Sequence, residues 1–425
     1  MTLDTAWHHH QQEAEQAAAQ LRTTTTIRER CGQLLERARR GESTWFELDE
    51  AKLDDAAHQV AEVTRRRFPK LHSVPFHSRW RHFEAGGVDR RKQLDELLHA
   101  KTHVQRAHAL IDLAVVSVLL DAGAGPDWAY TEPATEETFT RSEGLAVASF
   151  HAFTSGLFSS DKEHPLQVDA HGLRGLSTDH LAPAFQVRED NPLVALENRA
   201  ILLRRLGEVM LEQPETFGPE VCRPAGIFDM ILGIGGPDIP RTADVAAHDI
   251  LSHLLMGLAP IWPASNSIRG VPLGDCWRHS AVRGPGLTDG WVPFHKLTQW
   301  MTYSLLEPFM WAGCTVHGLD QLTALPEYRN GGLLLDTGVL KLRDAGVAAN
   351  VWQPGDEVVV EWRALTLSLL DELAPRVRSR LHLDERQMPL ASVLEGGTWA
   401  AGRELAYQLR NGLPPLQVAS DGTVF

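Results

Sequence analysis

Cysteine is scarce. Cys31, Cys222, Cys276 and Cys314 are spread over 425 positions with no CxxC pair, which argues against a zinc site or a disulfide framework and predicts reduced thiols. Basic residues are outnumbered, 41 Lys and Arg against 55 Asp and Glu, for a formal net charge of −14. A chain of that sign suits the phosphate backbone of long nucleic acid poorly, although two or three local basic groups suffice for a small anion. Long apolar runs are missing too. The strongest, Leu110 to Leu120, holds Asp112 and Ser117 and is too short to span a bilayer. The opening MTLDTAWHHHQQEAEQ has no basic region followed by an apolar core, so it does not read as a secretory signal. These absences predict a soluble cytoplasmic protein whose partners include neither nucleic acid nor membrane. They leave homo-oligomerisation open.

What is present points to helices. Hydrophobic residues make up 43% and charged residues 23%, an ordinary globular balance, and 425 residues exceed what one core usually holds. We expect an N-terminal helical region over residues 1–125 and a larger helical catalytic domain over 126–425, parted at the Gly123 to Pro126 break. Ala, Glu, Gln and Arg enrichment predicts helix over 11–40 and 49–68, the latter ended by Pro69. A third helical run covers 92–122, and 127–140 reads as a loop. Asn191-Pro192 predicts a helix start, because Asn caps free amides and Pro suits the first helical position. Beyond it, Leu196, Ala200, Leu203, Leu206 and Met210 share one face. Residues 261–293, rich in Gly and Pro, read as irregular with short strands. Helix returns over 293–312, 327–340 and 358–381, and the LPPLQVASDGTVF tail reads as extended. The fold class is mainly α with few short strands.

Four passages carry polar chemistry. In PFHKLTQWMTYSLLEPFMW, Lys296, Gln299, Tyr303 and Glu307 recur at steps of three or four among large apolar residues. They form one stripe, facing either solvent or a ligand. LPEYRNGGLLLDTGVL crowds Glu327, Tyr328, Arg329 and Asn330 before an apolar run. A carboxylate there is either a cap for free helix amides or one wall of a pocket. FHSRWRHFEAGGVDR offers Arg79, Arg81, His82 and Glu84, which suit an anion site or a solvated loop equally. VDAHGL offers Asp169 and His171, half of a metal site but without HExxH or HxH spacing, so a structural role is the better expectation. No GxSxG, GxGxxG or phosphate-binding loop is present, and GIGGPD at Gly233 to Asp238 lacks the right flanks.

HSRWRHFEAGG, NPLVALENRAILLRRLG, WPASNSIRG with LGDCW, VPFHKLTQWMTYSLLEPF and LPEYRNGGLLLDTGVL, in this order from about Pro75 onward, resemble the uracil catabolism protein 4 family. That family is a domain of unknown function found in fungi and bacteria. The resemblance implies a role in a pyrimidine-degradation route that opens the uracil ring on ribose and frees urea, with ribosylurea as a proposed intermediate. From about Phe153 the chain is also distantly similar to the queuosine-salvage N-glycosidases, helical enzymes with a DNA-glycosylase-like core. Their YKRAQI helix matches Phe294 to Gln299, keeping Lys296 and Gln299. Their ADYRxPQ segment matches Pro326 to Asn330, so their catalytic aspartate falls on Glu327, one methylene longer. Their WDYAHD segment meets Trp399 to Glu404: Trp399 matches, Ala400 replaces the first Asp, and Glu404 stands nearest the second.

This second resemblance implies hydrolysis of a ribosyl C–N bond through an oxocarbenium-like state. Glu327 would be the catalytic carboxylate. Substrate would meet Lys296, Gln299, Tyr303, Tyr328, Arg329, Arg79, Arg81, Asp169, Trp399 and Glu404. The partner implied is a small riboside or ribotide. No metal or other cofactor is called for, because electrostatic stabilisation can supply the rate. Two rival expectations are a metal-dependent amidohydrolase using Asp169, His171 and His279, and a non-catalytic partner of another uracil-degrading enzyme.

Overall fold

The computed structural model describes residues 3–234, 243–262 and 266–419, with side chains from residue 8 onward. Residues of GIGGPD beyond 234, residues 263–265 within WPASNSIRG, and residues 420–425 of the tail lie outside the described residues. The architecture is mainly helical, and among the described residues the short strands pair two by two.

Contacts gather the described chain into two units, each discontinuous in sequence. The first takes residues 3–77, 266–299 and 319–419. Its spine is the 25-residue helix Glu357–Leu381, against which the helices Thr24–Arg39 and Leu53–Arg67 pack. Val358, Val360, Trp362, Leu365, Leu369 and Leu373 are all buried, the all-round burial expected of a central helix. Around the spine lie the helices Tyr328–Asp336 and Trp399–Arg410, the latter entered through a π-helical turn, Leu394–Thr398. Antiparallel pairing joins Phe46–Leu48 to Leu340–Leu342 and Cys276–Arg278 to Trp291–Pro293.

The second unit takes residues 78–234, 243–262 and 300–318. Its helices include His103–Leu119, Arg141–Thr154 and Leu196–Glu212. Ion pairs are buried among them: Arg90 grips Glu132 through two nitrogens at 2.9 and 2.7 Å, and Asp112 accepts from Arg223 and from the Val168 and Ala225 amides. The helix Lys296–Trp311 contributes its first turn to the first unit and the remainder to the second.

Local reading needs correction in four places. The 11–40 stretch is two helices, Leu3–Leu21 and Thr24–Arg39, parted where the Thr23 hydroxyl caps the second. The 92–122 run likewise divides, because Thr102 and Gln105 form a capping box that starts a new helix at His103. Residues 127–140 contain a hairpin, Ala129–Thr131 against Thr138–Thr140. Its backbone claims Asn191, whose side chain accepts from Ala129 N and donates to the Ala129 and Gln186 carbonyls. Asn191 is therefore no cap, and the helix begins only at Leu196, after Ala195 in left-handed backbone.

Candidate active site

The site begins with a carboxylate whose work is to hold backbone. Asp275 precedes the strand Cys276–Arg278, whose pairing with Trp291–Pro293 returns the chain to its side. Its carbonyl accepts from the amides of Phe294 and His295, and its carboxylate from Lys296 N at 2.9 Å and Trp277 Nε1 at 2.7 Å. Both carboxylate oxygens also receive the Arg363 guanidinium at 2.7 Å, and Arg363 Nε donates to the Pro326 carbonyl at 3.2 Å. One buried ion pair thus ties the start of the Lys296 helix to the residue before Glu327. Burial alone would lift the Asp275 carboxyl, but the Arg363 charge and these hydrogen bonds hold it down at about 2.

Glu327 is the N-cap of the helix Tyr328–Asp336: Oε2 accepts from Arg329 N at 2.7 Å and Oε1 from Asn330 N at 2.6 Å. It is 8% exposed. The cap is real, yet it does not exhaust the group, because an ionised carboxylate offers about four lone-pair sites and the amides use two. Burial pushes the carboxyl above its ordinary value, against the pull of the two amides and the charges of Lys296 and His77. The crowding around it requires glycine. A Cβ on Gly402 would stand 2.1 Å from the Arg329 carbonyl oxygen, so the Trp399–Arg410 helix needs glycine where it approaches this helix start.

The Asp275–Arg363 pair brings the segments of Lys296 and Glu327 together, and the Lys296 charge reaches the carboxylate. Gln299 is also nearby in the fold, 0% exposed, its Oε1 accepting from Thr323 N at 3.3 Å. Its Nε2 and the Oδ1 of fully buried Asn330 have no hydrogen-bond partner among the described residues. Buried polar atoms are rarely left so, and these two sit on the segments that carry Lys296 and Glu327. Arg329 is buried, donates to the Gly412 carbonyl and lies over the ring of Tyr328, which is 39% exposed.

Three further residues of the first unit escaped sequence reasoning. His77 Nδ1 is 2.8 Å from Glu395 Oε2, and Arg67 holds Glu395 Oε1 at 2.8 Å. The His77 ring lies 6.2 Å from that of Trp399, over which the Arg403 guanidinium stands at 5.3 Å. His77 is the first letter of the HSRWRHFEAGG motif, and Glu395 precedes a Gly-Gly pair one turn before Trp399; those were the available signals. Glu404 points elsewhere, in an exposed ion pair with Arg66.

Other expected residues belong to the second unit. Arg79, fully buried, is held by Ser117, the Ser142 carbonyl and Asp121. Arg81 pairs with Glu307 and Glu84. Tyr303 is 0% exposed, so the stripe on its helix is not a solvent-facing one. Asp169 caps the helix Ala170–Arg174 through Gly172 N and also accepts from Ser160 N and Gln167, the structural role expected for it. His279 pairs with buried Glu361 in the first unit. Among the described residues, no group of three or more His, Cys, Asp or Glu is arranged to hold a metal ion, and no helix is long and apolar enough to cross a membrane.

Fold and geometry define a mainly helical protein with buried acidic and basic side chains gathered at its helix ends. The model of the family described as "Protein of unknown function (DUF1688)" matches residues 20–425, and the chain belongs to that family. It is 40% identical to Protein urg3 of Schizosaccharomyces pombe over 406 residues, covering 94% of this chain and 96% of that one. It is 38% identical to Uracil catabolism protein 4 of Lachancea kluyveri over 436 residues, covering 95% and 98%. The family expected from the five motifs is the one found.

Proposed function

We propose that this protein acts in uracil catabolism as an N-ribosyl hydrolase, cleaving the ribosyl C–N bond of a ureido riboside or its 5′-phosphate to release urea and ribose or ribose phosphate. The name of the Lachancea kluyveri relative, Uracil catabolism protein 4, supports the pathway. One observation carries the chemistry: the Glu327 carboxylate is buried, oriented by two backbone amides and within electrostatic reach of Lys296. A carboxylate so placed meets the need of this reaction, a fixed negative group beneath an anomeric carbon that turns cationic. It also accepts the proton of the attacking water. Lys296 is suited to a ribose hydroxyl or a 5′-phosphate, and the unpartnered amide atoms of Gln299 and Asn330 to the polar edges of a sugar or a ureido group. Incubation with ribosylurea and with its 5′-phosphate, followed by assay of free urea, tests the proposal. Urea released from either at an enzyme-dependent rate supports it; release from neither rejects it.

A further inference from the structure

The hydrolase chemistry above needs two proton movements, and Glu327 accounts for one. A ureido nitrogen leaves as a strong base unless it is protonated as the bond breaks. We propose that His77, oriented by Glu395, supplies that proton, so that His77 is the general acid and Glu395 its positioning residue.

Several observations converge on the pair. Both side chains are buried, His77 6% and Glu395 7% exposed, although a carboxylate taken out of water is costly. The hydrogen bond between Nδ1 and Oε2 fixes the ring and turns Nδ1 toward the carboxylate, which leaves Nε2 for the proposed proton transfer. Glu395 cannot turn away, because Arg67 binds its Oε1 and also donates to the carbonyls of Glu395 and Gly396. Those carbonyls belong to the π-helical turn Leu394–Thr398, a distortion that recurs at functional sites. The backbone of His77 is pinned as well, its amide donating to the Ala391 carbonyl at 2.9 Å. Finally, the π-helical turn that carries Glu395 and the Trp399–Arg410 helix that follows it both pack against the helix capped by Glu327, so acid and base stand on adjoining elements.

The step balances. The C1′–N bond breaks with its electron pair going to the ureido nitrogen, which takes the proton from His77 Nε2. Water then bonds to C1′ and loses a proton to Glu327. Urea and ribose leave, and solvent returns the proton from Glu327 to His77.

The inference rests on the hydrolase proposal, and the experiment separates them. Rates are measured for ribosides whose leaving groups fall in basicity: ribosylurea, an N-nitrophenyl ribosylurea and a nitrophenyl riboside, which departs without protonation. In His77→Asn we expect a loss of about 10²–10⁴ on ribosylurea, the range for a positioned acid, shrinking to under about tenfold on the nitrophenyl riboside. Glu395→Gln follows the same slope more weakly, and Glu327→Gln slows all three alike. Should Asn at 77 prevent folding, the slope is read from His77→Gln and Glu395→Gln. If wild-type protein cleaves the series and these variants slow every member equally, the acid assignment is overturned while the hydrolase stands. If wild-type protein cleaves no riboside, both fall.

Discussion

At the scale of single residues, the role proposed for Glu327 makes a cap and a reactive group compatible. The amides of Arg329 and Asn330 orient its oxygens, and the same contacts preorganise them for a developing cation. Glu327→Gln should slow urea release by about 10²–10⁴-fold. Stability should fall by no more than about 2 kcal/mol, the upper range for a weakened cap, because losing a buried charge offsets part of the change. Normal turnover in a folded Gln variant refutes the role. Lys296→Ala should raise KM by about 10–100-fold with little change in kcat, as expected when one charge-assisted hydrogen bond to a ground-state ligand is lost. A collapsed kcat at unchanged KM would instead put Lys296 in the chemical step. The identities of both residues were legible in the sequence, through their motif. Their company was not, since His77 and Glu395 are 318 positions apart and no local pattern couples them.

At the scale of elements, the decisive device is the Asp275–Arg363 pair, which sets where two helix starts stand. Asp275→Asn leaves the Arg363 guanidinium buried without its counter-charge. We expect a loss of about 3–5 kcal/mol, read as a lower urea midpoint with unchanged slope. A midpoint equal to wild type would show that the pair is dispensable. Periodicity foretold the helices Lys296–Trp311 and Glu357–Leu381 closely, because apolar spacing is a local property. It failed at Asn191, where a hairpin 62 positions away along the chain outbid the helix for the same side chain. The LGDCW motif held Asp275 in plain view, but nothing near it in sequence announces an arginine 88 residues on.

At the scale of the whole chain, acid should begin to weaken the fold before its carboxylates titrate. Burial holds the His295 imidazole down at about 4 while its Nε2 donates to the Leu21 carbonyl. Its folded value lies below its unfolded one, so the unfolded chain takes the proton first. Stability is full above about pH 6.5 and drains as pH falls toward 4, by about 3 kcal/mol in total. Asp275, held at about 2, extends the loss below the ordinary carboxylate range: its stabilising share is present above that range and disappears as pH falls through 2. Melting temperature measured from pH 7.5 to 4.5 should decline, and His295→Gln should flatten the curve. A flat wild-type curve refutes the assignment.

Composition and apolar spacing by themselves determined the mainly helical class, the position of most long helices and, through five ordered motifs, the family. These are properties of neighbours along the chain, where a few residues suffice to choose a backbone geometry. Only the tertiary structure decided which charges are buried, which are spent on backbone and which remain to act. Burial and pairing depend on groups that the chain brings together from hundreds of positions apart. The same Glu327 could have been read as a surface cap until the packed fold left it 8% exposed.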